Sequence, residues 1–590
     1  MEVIRRALLH GGRTAVARPS PSSPPTTYRD LLNFSSFLAT NLLVSSNAAD
    51  IPPPPENFSP LEGQAYVDAF RTLLRNVPFQ GAGLERKRVG IMAPPSAAFV
   101  GALWGTWLTG GVAVPMALSH PPAELEYVMR DAGISAVLAS DEFHPTLQNL
   151  VQKASIPLLP IPSVHAPNPL KTALDRKAAF LDVFKTPDGV SLLAANPQGP
   201  LVKFLEGRVN ERVTEGVKDE PAMIIYTSGT TGKPKGVVHT HGSLEAQTRM
   251  LVDAWEWASS DAILHTLPLH HVHGLVNALL CPLYSGASIH FLPKFKANEV
   301  WERFRREASG DHPLTLFMGV PTMYVRLLEA FRTMPPDEQA SATASVKRLR
   351  LMVSGSAACP TSLMEEWERV SGHRLLERYG MTEFGMALSN SLHGERQPGL
   401  VGVPLPGVDV KVVPDADASD ASEGELLVRS GGLFTQYWNR PDATLEAFDA
   451  DGFFRTGDKV RKEDGAFRIL GRLSVDIIKS GGYKLSALEI ETELLKHSAV
   501  AECAVLGLPD ATYGETVAAV IVVRSGPEGA SVTSKDVREW AKDHLAHYKI
   551  PRRIEMVETM PRNAMGKVNK KELLRTFFAD ITAQSSAPAA

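Results

Sequence analysis

Short apolar runs, separated by Gly/Ala-rich or amphipathic stretches, recur along the chain as far as Gly471. Arg88–Ala93 (RVGIMA) predicts a strand, AAFVGALWGTWLTGG a buried helix running into a second strand at VAVPM, and Ser135–Ser140 (SAVLAS) a third. MIIY, SIHFL, LTLFM and LRLMVSG continue the series. Strands alternating with helices predict an α/β fold, a parallel sheet with helices on both faces. Two stretches break the rhythm: 45–60 (SSNAADIPPPPENFSP) reads as an exposed insertion, and 165–220 as loop-rich linking structure.

Around Gly471 the texture changes. GFFRTGDKVRKEDGAFRILGR predicts short strands joined by tight turns, one at Glu463-Asp464-Gly465. Beyond it, LSALEIETELLKH predicts a helix, AVAECAVLGLP and VAAVIVV strands, and SKDVREWAKDHLAHY a helix capped by Ser534. The last ~120 residues therefore predict a compact α+β domain of ordinary size. A chain of 590 residues is too long for one core in any case.

Composition excludes several classes. Hydrophobic residues make up 44% and charged residues 21%, as in ordinary globular proteins. Lys+Arg 61 against Asp+Glu 65 gives −4, so no basic excess points to nucleic acid or an anionic membrane surface. No run approaches the ~20 apolar residues of a membrane span. Cys281, Cys359 and Cys503 lie far apart, with neither metal spacing nor a disulfide framework, which predicts a reducing compartment.

The chemistry concentrates in Ile225–His241, IYTSGTTGKPKGVVHTH. Glycines let the backbone approach a ligand closely. Hydroxyls and successive N–H groups make an anion-binding nest, and Lys233 and Lys235 add positive charge. A triphosphate fits this loop. It is not a Walker A loop, because Gly232-Lys233 is followed by Pro234. The word resembles the phosphate-loop signature of the adenylate-forming superfamily, which includes acyl-CoA synthetases, luciferases and peptide-synthetase adenylation domains. The resemblance implies that Thr227, Ser228, Gly229, Thr230, Thr231, Gly232, Lys233 and Lys235 hold the phosphates of ATP.

Further words follow in the order of that superfamily. ERYGMTE (Glu377–Glu383) implies Tyr379 and Gly380 at the adenine, Thr382 on phosphate and Glu383 on Mg²⁺. A single carboxylate beside phosphate oxygens suits magnesium. SGSA, with Ser356 and Ala357, resembles the adenine-side loop. RTGD implies that Asp458 accepts from the ribose hydroxyls, with Arg472 beside it. In PRNAMGKVNKKEL, Lys567 is the implied catalytic lysine, a point charge reaching the carboxylate and the α-phosphate. PLHHVHGL places His271 at the gate that shields the site during adenylation.

The resemblance implies a layered N-terminal domain at 1–471, a hinge at 472–476 and a smaller mobile C-terminal α+β domain at 477–590. GRLSVDIIK is one residue longer than in many relatives, which leaves Ser474 and Val475 as alternative hinge residues. Rotation brings in KSGGYKLSALEIE, whose Gly481 and Gly482 would line a pantetheine channel.

MGVPTMYVRLLEAF, GASIHFLPKF and NSLHGERQPGLVGVPLPGVDV resemble malonyl-CoA synthetases more than acetate, fatty-acid or coumarate enzymes. A dicarboxylate has a second anion to neutralise, and a guanidinium pairs with it bidentately. Arg326 is the candidate, and an exposed charge paired to Glu329 is its plainer alternative. The expected activity is ATP-dependent ligation of malonate to CoA with Mg²⁺. A synthetase for another short or medium acid, or an adenylation enzyme loading a separate carrier protein, are the alternatives. The expected partners are these small molecules only, with no nucleic acid and no membrane span, for a monomer or homodimer. The N-terminus resembles both a transit peptide and the ordinary opening of a synthetase, so the expected location is cytoplasmic, with mitochondrial as the alternative. SSAPAA is not a peroxisomal S-K-L.

Overall fold

The computed structural model describes residues 2–10, 13–16, 25–28, 30–31, 35, 86–161, 217–227, 233–307, 313–414, 422–524, 529, 532–562 and 568–580. The expected insertion at 45–60 and most of 165–220 lie outside the described residues.

The large N-terminal part is built on two mixed sheets. One runs Gln436–Tyr437, Gly236–Thr240, Pro221–Tyr226, Val112–Pro115, Arg88–Met92, Ile134–Ala139, Leu158–Pro160. The other runs Val403–Pro404, Gly385–Ser389, Leu376–Met381, Leu351–Ser354, Leu316–Gly319, Ala262–His265, Ser288–Phe291, Thr14–Val16, Thr26–Thr27. The expected layered sheets are two, each with a parallel centre; the second is antiparallel at both edges, the first only at its Gly236–Thr240 and Gln436–Tyr437 edge, whereas Leu158–Pro160 pairs parallel. The central strands are apolar on both faces, as burial between helical layers requires. Helix Ala97–Leu108 is buried along almost its whole length, and its Trp107 indole donates to the Ala222 carbonyl at 2.9 Å.

The N-terminal stretch belongs to this fold. Val16 pairs with Ile289, Ile4 is fully buried, and the Tyr28 hydroxyl donates to the Ala287 carbonyl at 2.8 Å.

A four-stranded antiparallel sheet follows: Val408–Val413, Glu423–Ser430, Phe454–Glu463 and Ala466–Arg472. Phe454–Glu463 spans 10 residues, longer than the expected short strands, and turns at Asp464-Gly465, both at positive φ. The smaller C-terminal part is α+β. Tyr483–Ser486, Ile477–Ser480, Gly514–Val523 and Val500–Asp510 form its sheet, extended by Arg553–Val557 and covered by helices Ala487–Leu494 and Ser534–His544.

Two local expectations are corrected here. Leu485 and Ser486 end a strand before the helix begins, because Ser486 accepts from the Glu489 amide and starts it. Ser534 is not the cap of the last long helix. Thr533 accepts from the Asp536 amide while Asp536 accepts from the Thr533 amide, a reciprocal box.

Candidate active site

Leu316–Gly319, Leu351–Ser354 and Leu376–Met381 run parallel, and their C-terminal ends form one edge, where open α/β sheets bind ligands. Strand Leu376–Met381 carries Tyr379 to that edge. The Tyr379 hydroxyl donates to Oδ2 of Asp458 at 2.6 Å. Asp458 and Arg472 face each other across an antiparallel pair, with Arg472 Nε 2.9 Å from Asp458 Oδ1. The hairpin therefore brings together three residues of the proposed nucleoside corner. Burial, and then the Asp458 charge, push the Tyr379 phenol well up. For Arg472, burial pulls the guanidinium down but Asp458, Tyr379 and Glu383 outweigh it, so it stays cationic.

Glu383 lies four residues beyond Tyr379 and is 6% exposed. Its Oε1 accepts from the Tyr437 hydroxyl at 2.9 Å, and its carbonyl accepts from the Phe434 amide at 2.7 Å. Burial raises its carboxyl, against the pull of Tyr437, Arg472 and Lys235. A desolvated carboxylate of this kind fits a magnesium ion, which needs only one or two carboxylates beside phosphate oxygens and water. No cluster of three or more His, Cys, Asp or Glu suited to a metal occurs among the described residues, so the nucleotide would supply the remaining ligands. When bound, the ion would neutralise phosphate charge.

Thr382 is fixed through its backbone. His239 Nε2 lies 2.7 Å from the Thr382 carbonyl, and burial pulls this imidazole down to about 4. It is therefore neutral at pH 7, with Nε2–H donating to Thr382. Packing alone requires glycine at 380: a Cβ there would meet the Gly385 carbonyl at 1.9 Å.

The phosphate loop closes the hairpin Pro221–Tyr226/Gly236–Thr240. Its two ends meet where the Thr227 amide donates to the Lys235 carbonyl at 3.0 Å. Tyr127 grips the second end by donating to the Pro234 carbonyl at 2.7 Å. Lys235 Nζ sits 4.5 Å over the Tyr437 ring, which joins the loop to Glu383, and Lys233 Nζ is 5.9 Å from the Tyr127 ring. Ser228, Gly229, Thr230, Thr231 and Gly232 lie outside the described residues.

At the expected gate, His271 lies against His270, their ring centroids 4.2 Å apart. Ser356 holds a left-handed backbone (φ +68) and, like Ala357, is exposed. Its Oγ is 3.3 Å from His273 Nδ1. Arg326 is exposed on helix Pro321–Arg332, away from the buried Leu327 and Leu328, and pairs with no acid among the described residues, Glu329 included. It is not drawn into the cluster around Tyr379 and Glu383.

Lys567 lies outside the described residues, but its neighbours are anchored. Val568 bridges to Arg562, and Lys570 Nζ reaches Asp476 at 2.5 Å and Glu491 at 2.8 Å. Ser474 and Val475 lie in a single turn closed by the Asp476 amide on the Arg472 carbonyl at 2.8 Å. Gly481 and Gly482, both at positive φ, form the tip of hairpin Ile477–Ser480/Tyr483–Ser486. Tyr437, His239, Tyr127, Lys570 and Arg378, whose Nη2 donates to Ser356 Oγ at 3.2 Å, went unnoticed in the sequence, where none stands in a motif that marks its partner.

Residues 78–438 match the family of AMP-binding enzymes and 489–567 its AMP-binding enzyme C-terminal domain. Malonate–CoA ligase of Arabidopsis thaliana is 47% identical over 512 residues, 84% of this chain and 79% of its own length. The mitochondrial malonate–CoA ligase of Homo sapiens is 43% identical, covering 84% of each chain. Among solved structures, ATP-bound MatB from Rhodopseudomonas palustris superposes with a TM-score of 0.75 at 28% identity, over 98% of each chain. A malonyl-CoA ligase complex with methylmalonyl-CoA and AMP gives 0.57 at 32% identity, over 94% of this chain and 97% of that one. The chain belongs to the AMP-binding enzyme family.

Proposed function

We propose that this chain is an ATP-dependent malonate–CoA ligase. The observation that carries the nucleotide half is the buried corner formed by Tyr379, Asp458 and Arg472 beside Glu383 and Lys235. Relatives that are malonate–CoA ligases at 43–47% identity support the choice of acid.

A malonate oxygen attacks the α-phosphorus of ATP, the bond to pyrophosphate breaks, and malonyl-adenylate forms. The thiol sulfur of CoA then attacks the acyl carbon, loses its proton, and AMP leaves. No enzyme nucleophile is required; orientation and charge neutralisation supply the rate. Lys567 bridges the attacking carboxylate and the α-phosphate. His271 shields the acyl-adenylate, and Arg326 meets the distal carboxylate. Residues 1–471 form the adenylation domain, 472–476 the hinge and 477–590 the mobile domain. The packing of Ile4, Val16 and Tyr28 into the fold gives those residues a structural role. The mitochondrial relatives favour the mitochondrial location over the cytoplasmic one. Pyrophosphate release with a panel of acids, with and without CoA, tests this reading: malonate is expected to lead the panel, and equal rates with butyrate would remove the dicarboxylate assignment.

A further inference from the structure

Three consecutive side chains, Trp438, Asn439 and Arg440, converge on one residue 307 to 309 positions earlier, Asp131. The Trp438 indole and the Asn439 amide donate to the Asp131 carbonyl at 3.0 and 3.3 Å, and Arg440 Nη2 donates to Oδ1 at 2.7 Å. Oδ2 accepts from the Tyr226 hydroxyl at 2.8 Å. Asn439 adopts a left-handed backbone (φ +53) in this turn, a conformation that asparagine takes more readily than most residues. Asp131 itself stands at the end of helix Pro122–Ala132, and its side chain is 10% exposed. None of these partners is assigned to the nucleotide, the metal or the acid.

Each of them nevertheless leads to the triphosphate side of the site. Tyr226 ends the strand that enters the phosphate loop, and the next residue, Thr227, closes the loop on Lys235. Tyr127 stands one helical turn before Asp131 with its hydroxyl 3.5 Å from Oδ1, and it gives its proton to the Pro234 carbonyl where the loop ends. Tyr437, the residue before Trp438, holds Glu383 through its hydroxyl and carries Lys235 over its ring. The Trp438 amide donates to the Gly236 carbonyl at 2.7 Å, next to Lys235. One carboxylate thus ties both ends of the loop to the segment that supports Glu383 and Lys235. Bonds to an ionised group are roughly twice as strong as neutral ones. Charge stabilisation depends on donors and cations held in place beforehand.

We infer that Asp131 is a positioning residue for the triphosphate, setting the phosphate loop against the Tyr437 segment so that Lys235 and Glu383 are fixed relative to each other. This rests on the reading of the loop as an ATP site. AMP lacks the β- and γ-phosphates that this assembly serves, and it is held by the Tyr379, Asp458 and Arg472 corner. Asp131 therefore bears on the affinity for ATP and not on that for AMP. A residue that only held the fold together would weaken both.

The test uses the full chain and its Asp131→Asn, Arg440→Gln and Arg440→Lys variants. Calorimetric titration with ATP and with AMP, each with Mg²⁺, gives the two affinities, and melting temperature checks folding. Loss of one charged contact predicts ATP binding about tenfold weaker in Asp131→Asn. AMP binding, read at a separate corner, should stay within about twofold. Adenylation should fall with ATP affinity, while thiol transfer from preformed malonyl-adenylate persists. Arg440→Lys, which keeps the charge but loses the planar fork, should lie between Arg440→Gln and wild type. ATP and AMP affinities that fall together, or an ATP affinity that does not change, overturn the inference. If Asp131→Asn does not fold, Arg440→Gln and Tyr226→Phe, each deleting one bond to the carboxylate, are read by the same criteria. Wild-type protein that binds no ATP sinks the nucleotide reading itself; wild type that binds it, with variants of unchanged ATP-to-AMP preference, sinks only this assignment.

Discussion

The hydroxyl of Tyr379 lies 2.6 Å from Oδ2 of Asp458, although 79 positions separate the two residues. Asp458 also holds Arg472 through its other oxygen. One carboxylate thus ties the strand carrying the GMTE turn to the last strand before the C-terminal part. Asp458→Asn keeps the shape and removes the charge. It should raise the ATP KM by about tenfold or more and lower the melting temperature. Tyr379→Phe, which deletes one hydrogen bond, should cost only about 1 kcal/mol of stability. An Asp458→Asn enzyme with unchanged ATP KM would remove Asp458 from the nucleotide corner.

Gly380 offers a test of packing. Its missing Cβ leaves room for the Gly385 carbonyl, and Gly385 itself sits at φ +69 against Gln247. This close approach folds the turn that carries Thr382 and Glu383. Gly380→Ala should cost about 1–3 kcal/mol by overpacking, or prevent folding. Chemical denaturation measures it, and a variant as stable as wild type would contradict the geometry.

Lys570 is buried between Asp476 and Glu491 and stays protonated: burial pulls its pKa down, but the two carboxylates outweigh it. Lys570→Met strands two carboxylates and should cost about 3–5 kcal/mol. Lys567→Ala should behave in the opposite way. Stability is expected to hold while malonyl-adenylate formation falls about 10²–10³-fold. Thiol transfer from preformed malonyl-adenylate should persist. Thermal melts with separate half-reaction assays distinguish the two lysines.

Glu377 gives a pH signature. Burial raises its carboxyl from the ordinary 4.5 to about 7, against the two amides that donate to it. Below pH 4.5 the folded and unfolded states are both protonated at this site. Between 4.5 and 7 only the folded state keeps the proton, so stability falls as pH rises, and the trend ends above 7. Glu377→Gln lacks this proton. The melting temperature of wild type minus that of Glu377→Gln should therefore decline from pH 5 to 7.5 and then level off. A constant difference would show that Glu377 does not titrate in this window.

The alternation of strands and helices was legible because runs such as RVGIM are apolar on both faces, the mark of a covered sheet. The antiparallel edges were not, because pairing direction depends on residues far apart in the chain, as with Pro221–Tyr226 and Gly236–Thr240 across the phosphate loop. Thr533 lost the cap to Ser534 in the sequence because both are hydroxyl residues, and only the bond from Asp536 separates them. Tyr379, Asp458 and Arg472 were legible from their motifs. Arg378 was not: in sequence it stands next to Glu377, an apparent partner, but neighbours on a strand point to opposite faces. Arg326 is exposed while its neighbours Leu327 and Leu328 turn to the core, a split that adjacent positions in a sequence do not reveal.

The most direct measurement is AMP and thioester formation by purified protein given ATP, Mg²⁺, CoA and one acid at a time. Malonate should yield AMP and malonyl-CoA in equal amounts, and without CoA it should support malonate-dependent exchange of pyrophosphate into ATP. Protein that consumes no ATP whatever acid is offered, or that yields AMP with malonate but never a malonyl thioester, would contradict the account.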